Sequence, residues 1–504
     1  MDYEIIFESS RSGEMTCSFK GKYLHSKYNP LVEGERFAQT VEADFSPLCL
    51  FILEPALSYC ADAIKKKFPN ALICAIRFSS AFVKSDSQWH KVFYLDQADF
   101  SIPLSEILFE TLGEEKLISS LAFSWPPSQN AFPEQTVRCW EEIKKAILKA
   151  RDVMGTRAYF SERWLKNSLI FASNIKRPVI AEKGNLPLII AASGPSLLSS
   201  LPFLKKYRDY FFLIAVSSAL MPLQKNGIRA DMVISSDGGY WAKRHIDFSG
   251  QDSTIFALEA ESAVPKKIFE NNKIIPLVYD DGLEKDFLDA IGCPYMLSER
   301  NGTVAGTALC FAHTLTDGNI YLCGLDQAPS PAFQHTQPNA LENGNSKNDS
   351  RLRNCETRIT KSRFSSEKSL EIYRNWFITN SAYFSKRVSR LSDNFKYDFP
   401  LGNISEKNWD DFEKTELDKK KNDCIKNISF SGEKKIITRG ERKKILEESL
   451  LQLSKSSKFI EEVFPMDAIL IKRELSGDRK KILEEKLHEK IALLLKKCER
   501  LIRG

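Results

Sequence analysis

An α/β protein organised around a central doubly wound parallel sheet is the fold class this sequence predicts. Three observations carry it. Short apolar runs alternate with helix-spaced segments through residues 186–328. Several of those runs end in Ser, Asp or Gly, as strands do when they deliver loops to a ligand edge. A second strand–helix–strand pattern lies upstream, near the N-terminus.

The chain has 504 residues, more than one core accommodates, so two or three domains are expected. Its 43% hydrophobic and 27% charged residues are ordinary for a soluble globular protein. The opening MDYEIIFESSRSGE lacks the basic flank and apolar stretch of a secretory signal. The most apolar window, Phe211 to Leu223, is too short for a membrane span and carries Ser217 and Ser218. Eleven cysteines are scattered without a CxxC pair, which suits a reducing compartment. A cytoplasmic protein is therefore expected.

The first 125 residues read as a smaller N-terminal α/β domain. Leu48–Leu53 and Ala71–Ile76 are buried-strand candidates, with an amphipathic helix from Ala56 to Phe68 between them. A phosphate-binding turn would fall at Glu54-Pro-Ala-Leu-Ser58, which has no glycine, so a ligand there is not expected. Trp125-Pro-Pro-Ser-Gln-Asn130 reads as a linker, and 126–180 as linker and connecting helices.

Residues 181–345 form the central domain, a Rossmann-like sheet. Its strand candidates are Leu188–Ala192, Phe212–Val216, Met232–Ser235, Ser253–Ala257, Ile274–Leu277 and Ile320–Cys323. Gln334 to Ser366 is polar, the composition of a lid or of a stretch with little structure. Helical spacing returns at Glu367–Arg390 and dominates beyond Trp409, so 346–504 is assigned as a helical C-terminal region, with a break near Phe430–Gly440. Leu487, Ile491, Leu494, Cys498 and Leu501 make an apolar stripe in the last helix. It suits either docking on its own protein or a homo-oligomer seam. Residues 401–504 hold 25 Lys+Arg against 20 Asp+Glu, close to the whole net charge of +6. A mixed-sign helical tail is ordinarily a solvated face, with an acidic partner as the alternative. No aromatic-studded basic patch accompanies it, which argues against nucleic acid.

The chemistry is expected where strands end. Leu188–Ala192 runs into Ser193-Gly194-Pro195-Ser196, where Gly194 allows close backbone approach and Ser196 can cap a helix whose vacant N–H groups suit an anion. Phe212–Val216 ends in Ser217-Ser218, and Met232–Ser235 leads to Asp237, short donors and acceptors fitted to ribose or base. Asn301-Gly302-Thr303, with Thr307, opens another helix suited to phosphate. Ile320–Cys323 delivers Gly324 and Asp326 to the same edge, and His335 follows as a proton-exchanging candidate. Each has an ordinary alternative: a strand–helix turn, loop caps, a solvated histidine.

The order Ser193-Gly-Pro-Ser-Leu197, Ala215-Val-Ser-Ser-Ala219, Gly227–Asp231 with Ser236-Asp237, Gly302-Thr-Val with Thr307-Ala-Leu309, and Ile320–Asp326 resembles the central domain of Maf (motility accessory factor) proteins. That domain is shared with MptE-like hydroxymethylpterin pyrophosphokinases and is similar to bacterial sialyltransferases with a GPSL loop. Leu24-His-Ser-Lys-Tyr-Asn-Pro30, Arg163-Trp164 with Asn167, and Tyr373 with Trp376-Phe377 extend the resemblance over roughly residues 20–400. Where the family has a glycine-rich Thr-Glu-Gly-Gly segment, this chain has Leu391-Ser-Asp-Asn-Phe395.

The resemblance implies a glycosyltransferase moving a nonulosonic acid from a CMP-activated donor onto flagellin Ser/Thr. Ser193, Gly194, Pro195, Ser196, Ser217, Ser218, Gly302, Thr303 and Thr307 would then hold the nucleotide, and Asp237, Asp326 and His335 are the catalytic candidates. No cofactor beyond the CMP-sugar substrate and no metal is expected, since the chain contains no Asp-x-Asp. The rivals are a pterin pyrophosphokinase and a sugar-nucleotide-binding flagellin chaperone without turnover.

Overall fold

The structure is a computed structural model that describes residues 4–96, 102–247, 254–391, 399–417, 426–431, 437–474 and 477–503. It divides into two compact units, residues 1–161 with 457–493, and residues 162–456 with 494–504. Among the described residues no helix is long and apolar enough to cross a membrane. The described cysteines are free thiols, most of them buried, as small core residues are.

The first unit opens with antiparallel strands β1 (Ile5–Ser9), β2 (Met15–Phe19) and β3 (Lys22–Tyr23). Strands β4 (Cys49–Leu53), β5 (Leu72–Arg77), β6 (Lys91–Tyr94) and β7 (Ser120–Ser124) follow, all parallel, in the order β6-β5-β4-β7. The strand–helix–strand expectation holds, but its helix spans Ala61–Lys67 rather than starting at Ala56. The cause lies in the turn after β4, where Glu54, Ala56 and Ser58 take left-handed backbone angles (φ 39°, 44° and 67°). Side chains rarely adopt that region without a compensating contact.

Arg77, fully buried at the end of β5, supplies the compensation. Its guanidinium donates to Ala56 O at 2.7 Å, Ser58 Oγ at 2.9 Å and Asp86 Oδ1 at 2.9 Å, and pairs with Glu54 Oε1 at 3.3 Å. Glu54 Oε2 accepts from the amides of Phe78 and Ser79 at 2.5 and 3.1 Å. Trp125, expected in a linker, is 1% exposed and donates its indole N–H to Leu24 O at 2.8 Å. The prolines behind it open the helix Pro126–Ala131, where a missing N–H costs nothing. His25 packs against Trp125 and accepts from Leu57 N–H at 3.0 Å. The place a ligand would take beside β4 is filled by the chain's own side chains.

Helix Pro133–Asn174 runs from the first unit into the second. The second unit holds a nine-stranded sheet made of β9 (Leu188–Ala191), β10 (Phe212–Val216), β11 (Met232–Ser235), β12 (Ile255–Glu259), β13 (Ile274–Tyr279), β14 (Met296–Ser298), β15 (Ile320–Cys323), β16 (Val388–Leu391) and β17 (Ser405–Lys407). Its order is β14-β13-β12-β11-β10-β9-β15-β16-β17, and every neighbouring pair is parallel. Strands β9 to β13 and β15 are buried along their whole length, as apolar runs covered on both faces must be. Strand β8 (Ile180–Glu182) pairs separately with Ser429–Ser431.

Within the nine-stranded sheet, three strands were not anticipated. Met296–Ser298 is too short to show a period, and Val388-Ser-Arg-Leu391 overlaps the end of the helix expected over Glu367–Arg390. Ser405-Glu-Lys407 is a polar edge strand, where charge discourages pairing with other chains. The sheet thus continues beyond residue 345 into the otherwise helical C-terminal region. The helix expected from Glu367 begins at Cys355, capped by Asn354, whose side chain accepts from Thr357 N–H at 2.9 Å. Ser253 and the segment at Asp393 lie outside the described residues, as does part of the expected break near Phe430–Gly440.

In the last helix, Asp478–Arg503, Leu487, Ile491, Leu494 and Cys498 are buried within the single chain. Leu501 faces outward and Ile502 takes the inner position, because the stripe advances by four residues at that point.

Replacing Arg77 by Met should destabilise the first unit by about 3–5 kcal/mol, since the Glu54 carboxyl is left buried without its cation. Urea unfolding of Arg77→Met against the Glu54→Gln/Arg77→Met pair checks it: the double variant should recover part of the loss.

Candidate functional site

Strands β15, β9, β10 and β11 are consecutive neighbours, so their C-terminal loops share one edge at spacings of roughly 5 Å. Ser193–Ser196 follows β9, Ser217-Ser218 follows β10, Ser236-Asp237 follows β11 and Gly324–Asp326 follows β15. These four loops are therefore brought to one rim, and the expected residues fall into three groups.

The first group joins the β9 and β15 loops. Pairing continues past the strands, with Ala192 N–H donating to Cys323 O and Gly194 N–H to Gly324 O, both at 2.8 Å. A Cβ on Gly194 would lie 2.6 Å from Gly324 O and 2.7 Å from Asp326 Oδ2. One on Gly324, whose φ is +68°, would lie 2.3 Å from Ala192 O. Both positions exclude any side chain. Asp326, 5% exposed, accepts from Ser196 N–H at 2.9 Å through Oδ2 and from Ser196 Oγ–H through Oδ1. Burial raises its pKa above the usual aspartate value, against the bonds from Ser196 and the charge of Arg390.

This changes the reading of the Ser193–Ser196 turn. Ser196 does not cap the helix with its own side chain; the carboxylate of Asp326 closes that end instead. Leu197 N–H donates to Gly194 O and Leu198 N–H to Pro195 O, so the amides expected to be vacant for an anion are engaged. The Ser193 hydroxyl of this turn is itself buried, at 6% exposure, and is turned toward neighbouring loops.

The second group is built on that hydroxyl. Ser218 Oγ–H donates to Ser193 Oγ at 2.7 Å, and Ser193 Oγ lies 2.9 Å from His335 Nδ1. Burial lowers the His335 pKa below 6.5, with Glu342 opposing, so its imidazole is neutral at pH 7. His245 is pushed down to about 4, by burial and then by His335. Ser217 is 4% exposed, so its neighbour Ser218 carries the hydroxyl of this strand end. The start of the polar stretch, expected as a lid or as a segment with little structure, is held here by specific bonds. Thr336 N–H donates to Ser193 O and Thr336 Oγ–H to Gly194 O, both at 2.7 Å. Arg358 ties the following turn through Glu342 and, at 2.6 Å, Asp349. Trp241 packs on Gly344, where a Cβ would come within 2.5 Å of the indole.

The third group surrounds the helix Val304–Leu315. Thr303 caps it, its Oγ1 accepting from Gly306 N–H at 2.8 Å. The amides of Val304 and Ala305 open that helix, where the helical ladder supplies no acceptor. Thr307, 2% exposed, donates from Oγ1 to Asn301 Oδ1 at 3.2 Å and reaches Ser236 Oγ at 3.4 Å, tying the helix to the end of β11. Asp237 is exposed, and its Oδ1 accepts from Gly239 N–H at 2.7 Å. Gly302 has φ +75°, and Tyr373 Cε1 lies 3.9 Å from where its Cβ would be. The Tyr373 phenol is raised by burial and then by the charge of Asp237, so the helix Cys355–Phe384 supplies a wall here.

Two residues escaped the residue-by-residue reading. Arg300, directly before Asn301, pairs with Glu261 at 3.3 Å and stacks 4.0 Å over the Tyr279 ring. Glu259, at the end of β12, is fully buried, and burial pushes its carboxyl up to about 8. A cation immediately before Asn-Gly-Thr was the available signal for the first. A carboxylate closing an apolar strand was the signal for the second.

Residues 162–331 match the family model described as 6-hydroxymethylpterin diphosphokinase MptE-like. An uncharacterized protein of Treponema pallidum (strain Nichols) is 29% identical over 318 residues, which is 63% of this chain and 69% of that protein. Among solved structures, the MAf glycosyltransferase from Magnetospirillum magneticum AMB-1 aligns with 100% of this chain and 93% of its own, with a TM-score of 0.58 and 13% sequence identity. The chain thus has the fold of a Maf glycosyltransferase, with an MptE-like segment at its centre.

Gly324→Ala should cost about 2–4 kcal/mol, because left-handed strain and a backbone clash add. Thermal unfolding measures it, and an unchanged melting temperature would contradict the close approach of the two loops.

Proposed function

We propose that the chain is a glycosyltransferase that moves a nonulosonic acid from a CMP-activated donor to Ser/Thr hydroxyls of flagellin, without a metal or other cofactor. The observation that carries the reading is the meeting of hydroxyls, a neutral histidine and an open helix start at one edge of a sheet, in a fold shared along the whole chain with a MAf glycosyltransferase.

In this reading the Val304 and Ala305 amides, with Gly302, Thr303 and the Thr307 bridge, receive the phosphate of CMP. Ser218 and Asp237 serve ribose or base, and Ser193 and His335 face the reacting end. Gly194, Pro195, Ser196 and Asp326 hold the loop that presents Ser193. The acceptor hydroxyl oxygen attacks the anomeric carbon. The bond from that carbon to the phosphate oxygen breaks, and its electron pair leaves with CMP. The acceptor proton passes to His335 Nε2, while Nδ1–H donates to Ser193 Oγ and fixes the ring.

The match of residues 162–331 to an MptE-like diphosphokinase favours a second reading, ATP-dependent pyrophosphoryl transfer. CMP is expected to raise the melting temperature more than ATP does, and without Mg²⁺. Equal or greater stabilisation by Mg·ATP would favour the kinase. On co-expressed flagellin, Asp237→Ala and His335→Ala should abolish the sugar mass shift while both variants stay folded; full modification in both would reject these roles.

The pH dependence has a definite sign. A base must be unprotonated to act, and the pKa of His335 lies below 6.5, so kcat should be flat at neutral pH and fall as pH drops through that lowered value. An acid limb centred above pH 6.5 would contradict His335 as the base.

A further inference from the structure

Asp237 is exposed, and among the described residues its side chain is held by one local bond, to Gly239, so its aim depends on the backbone of residues 237–239. That backbone is gripped from outside the sheet. Asn167, near the end of helix Pro133–Asn174, donates its Nδ2 hydrogens to Gly238 O at 3.2 Å and to Glu261 O at 2.9 Å. One amide group thereby ties the loop after β11 to the loop after β12. Ala263 N–H donates to Asp237 O at 3.1 Å and adds a second tie between the same loops.

Trp164, one helical turn before Asn167, closes the grip. A Cβ on Gly238 would lie 2.9 Å from Trp164 Cδ1, 3.1 Å from its Nε1 and 3.1 Å from Glu261 O. Glycine is required there because the indole rests directly on the main chain. The Glu261 carboxylate pairs with Arg300 at 3.3 Å, and Arg300 immediately precedes the Asn301–Thr303 turn. Helix, Asp237 loop, Glu261 loop and phosphate-facing turn form one connected series.

We infer that Asn167, backed by Trp164, is a positioning residue that aims Asp237 by clamping the Gly238 and Glu261 carbonyls. The assignment of Asp237 to the donor rests on the proposed function; the clamp does not. Two carbonyl acceptors demand two N–H donors on one planar group, which an asparagine amide supplies and an isosteric carboxylate does not. Asn167→Asp keeps the shape and turns both attractions into repulsions.

The experiment uses the full chain. Amide hydrogen exchange is followed by mass spectrometry over residues 237–241 and 261–263, and CMP affinity is measured for Asn167→Ala, Asn167→Asp, Asp237→Ala and the Asn167→Ala/Asp237→Ala pair. Exchange in both segments should rise about tenfold in the two Asn167 variants, as expected for loss of buried-side hydrogen bonds, with β9 and β15 unchanged. CMP affinity should fall about tenfold in Asn167→Ala, and the double variant should bind no more weakly than Asp237→Ala alone. Trp164→Phe, a milder change that leaves an aromatic face on Gly238, should loosen the same segments to a smaller degree. Unchanged exchange in the Asn167 variants, or additive losses in the double variant, would overturn the clamp. Faster exchange combined with wild-type CMP affinity in Asp237→Ala would leave the clamp standing and reject the donor role of Asp237.

Discussion

The carbonyl of Gly324 stands so close to Gly194 that neither loop could carry a side chain at that point, and the rest of the site depends on this approach. It lets Asp326 reach under the β9 turn and take both donors of Ser196. With the carboxylate committed there, the helix Leu197–Lys206 starts at a fixed place and the Ser193 hydroxyl is directed toward Ser218 and His335. A buried acid acts here as a structural cap supplied by a neighbouring strand, in the position a ligand anion could otherwise occupy.

A division of labour between two helix starts follows. The one after β9 is satisfied by protein atoms, whereas among the described residues the first amides of the one at Thr303 meet no acceptor. Each sits at the end of an apolar strand or turn rich in Gly, Ser and Thr, and composition cannot tell them apart. Only the partner of each N–H distinguishes them.

Much of this was legible in the amino-acid order. Central strands β9, β10, β11 and β15 were readable because parallel strands covered on both faces must be continuous apolar runs. Their loops could then be assigned to one edge without coordinates. Val388-Ser-Arg-Leu391 was not readable, since buried Arg390 is accommodated by Leu325 O, Phe399 O and the ion pair with Glu406, none of them within the strand itself. Nor was the left-handed turn at Glu54–Ser58, which depends on Arg77 some twenty positions downstream. Local patterns reported what a segment buries; they were silent about which remote donor makes an unusual backbone tolerable. Asn167 stood out only through resemblance, and its contact and that of Trp164 with Gly238 give that resemblance a physical content.

The filled seat beside β4 has a thermodynamic consequence. A protein whose cleft is completed by a metabolite gains stability in proportion to the logarithm of that metabolite's concentration. In the N-terminal unit the guanidinium of Arg77 and the rings of His25 and Trp125 are covalently part of the chain, so their effective concentration never varies. The support those side chains give the strained turn after β4 therefore does not rise or fall with the supply of any metabolite: it is fixed by the chain itself.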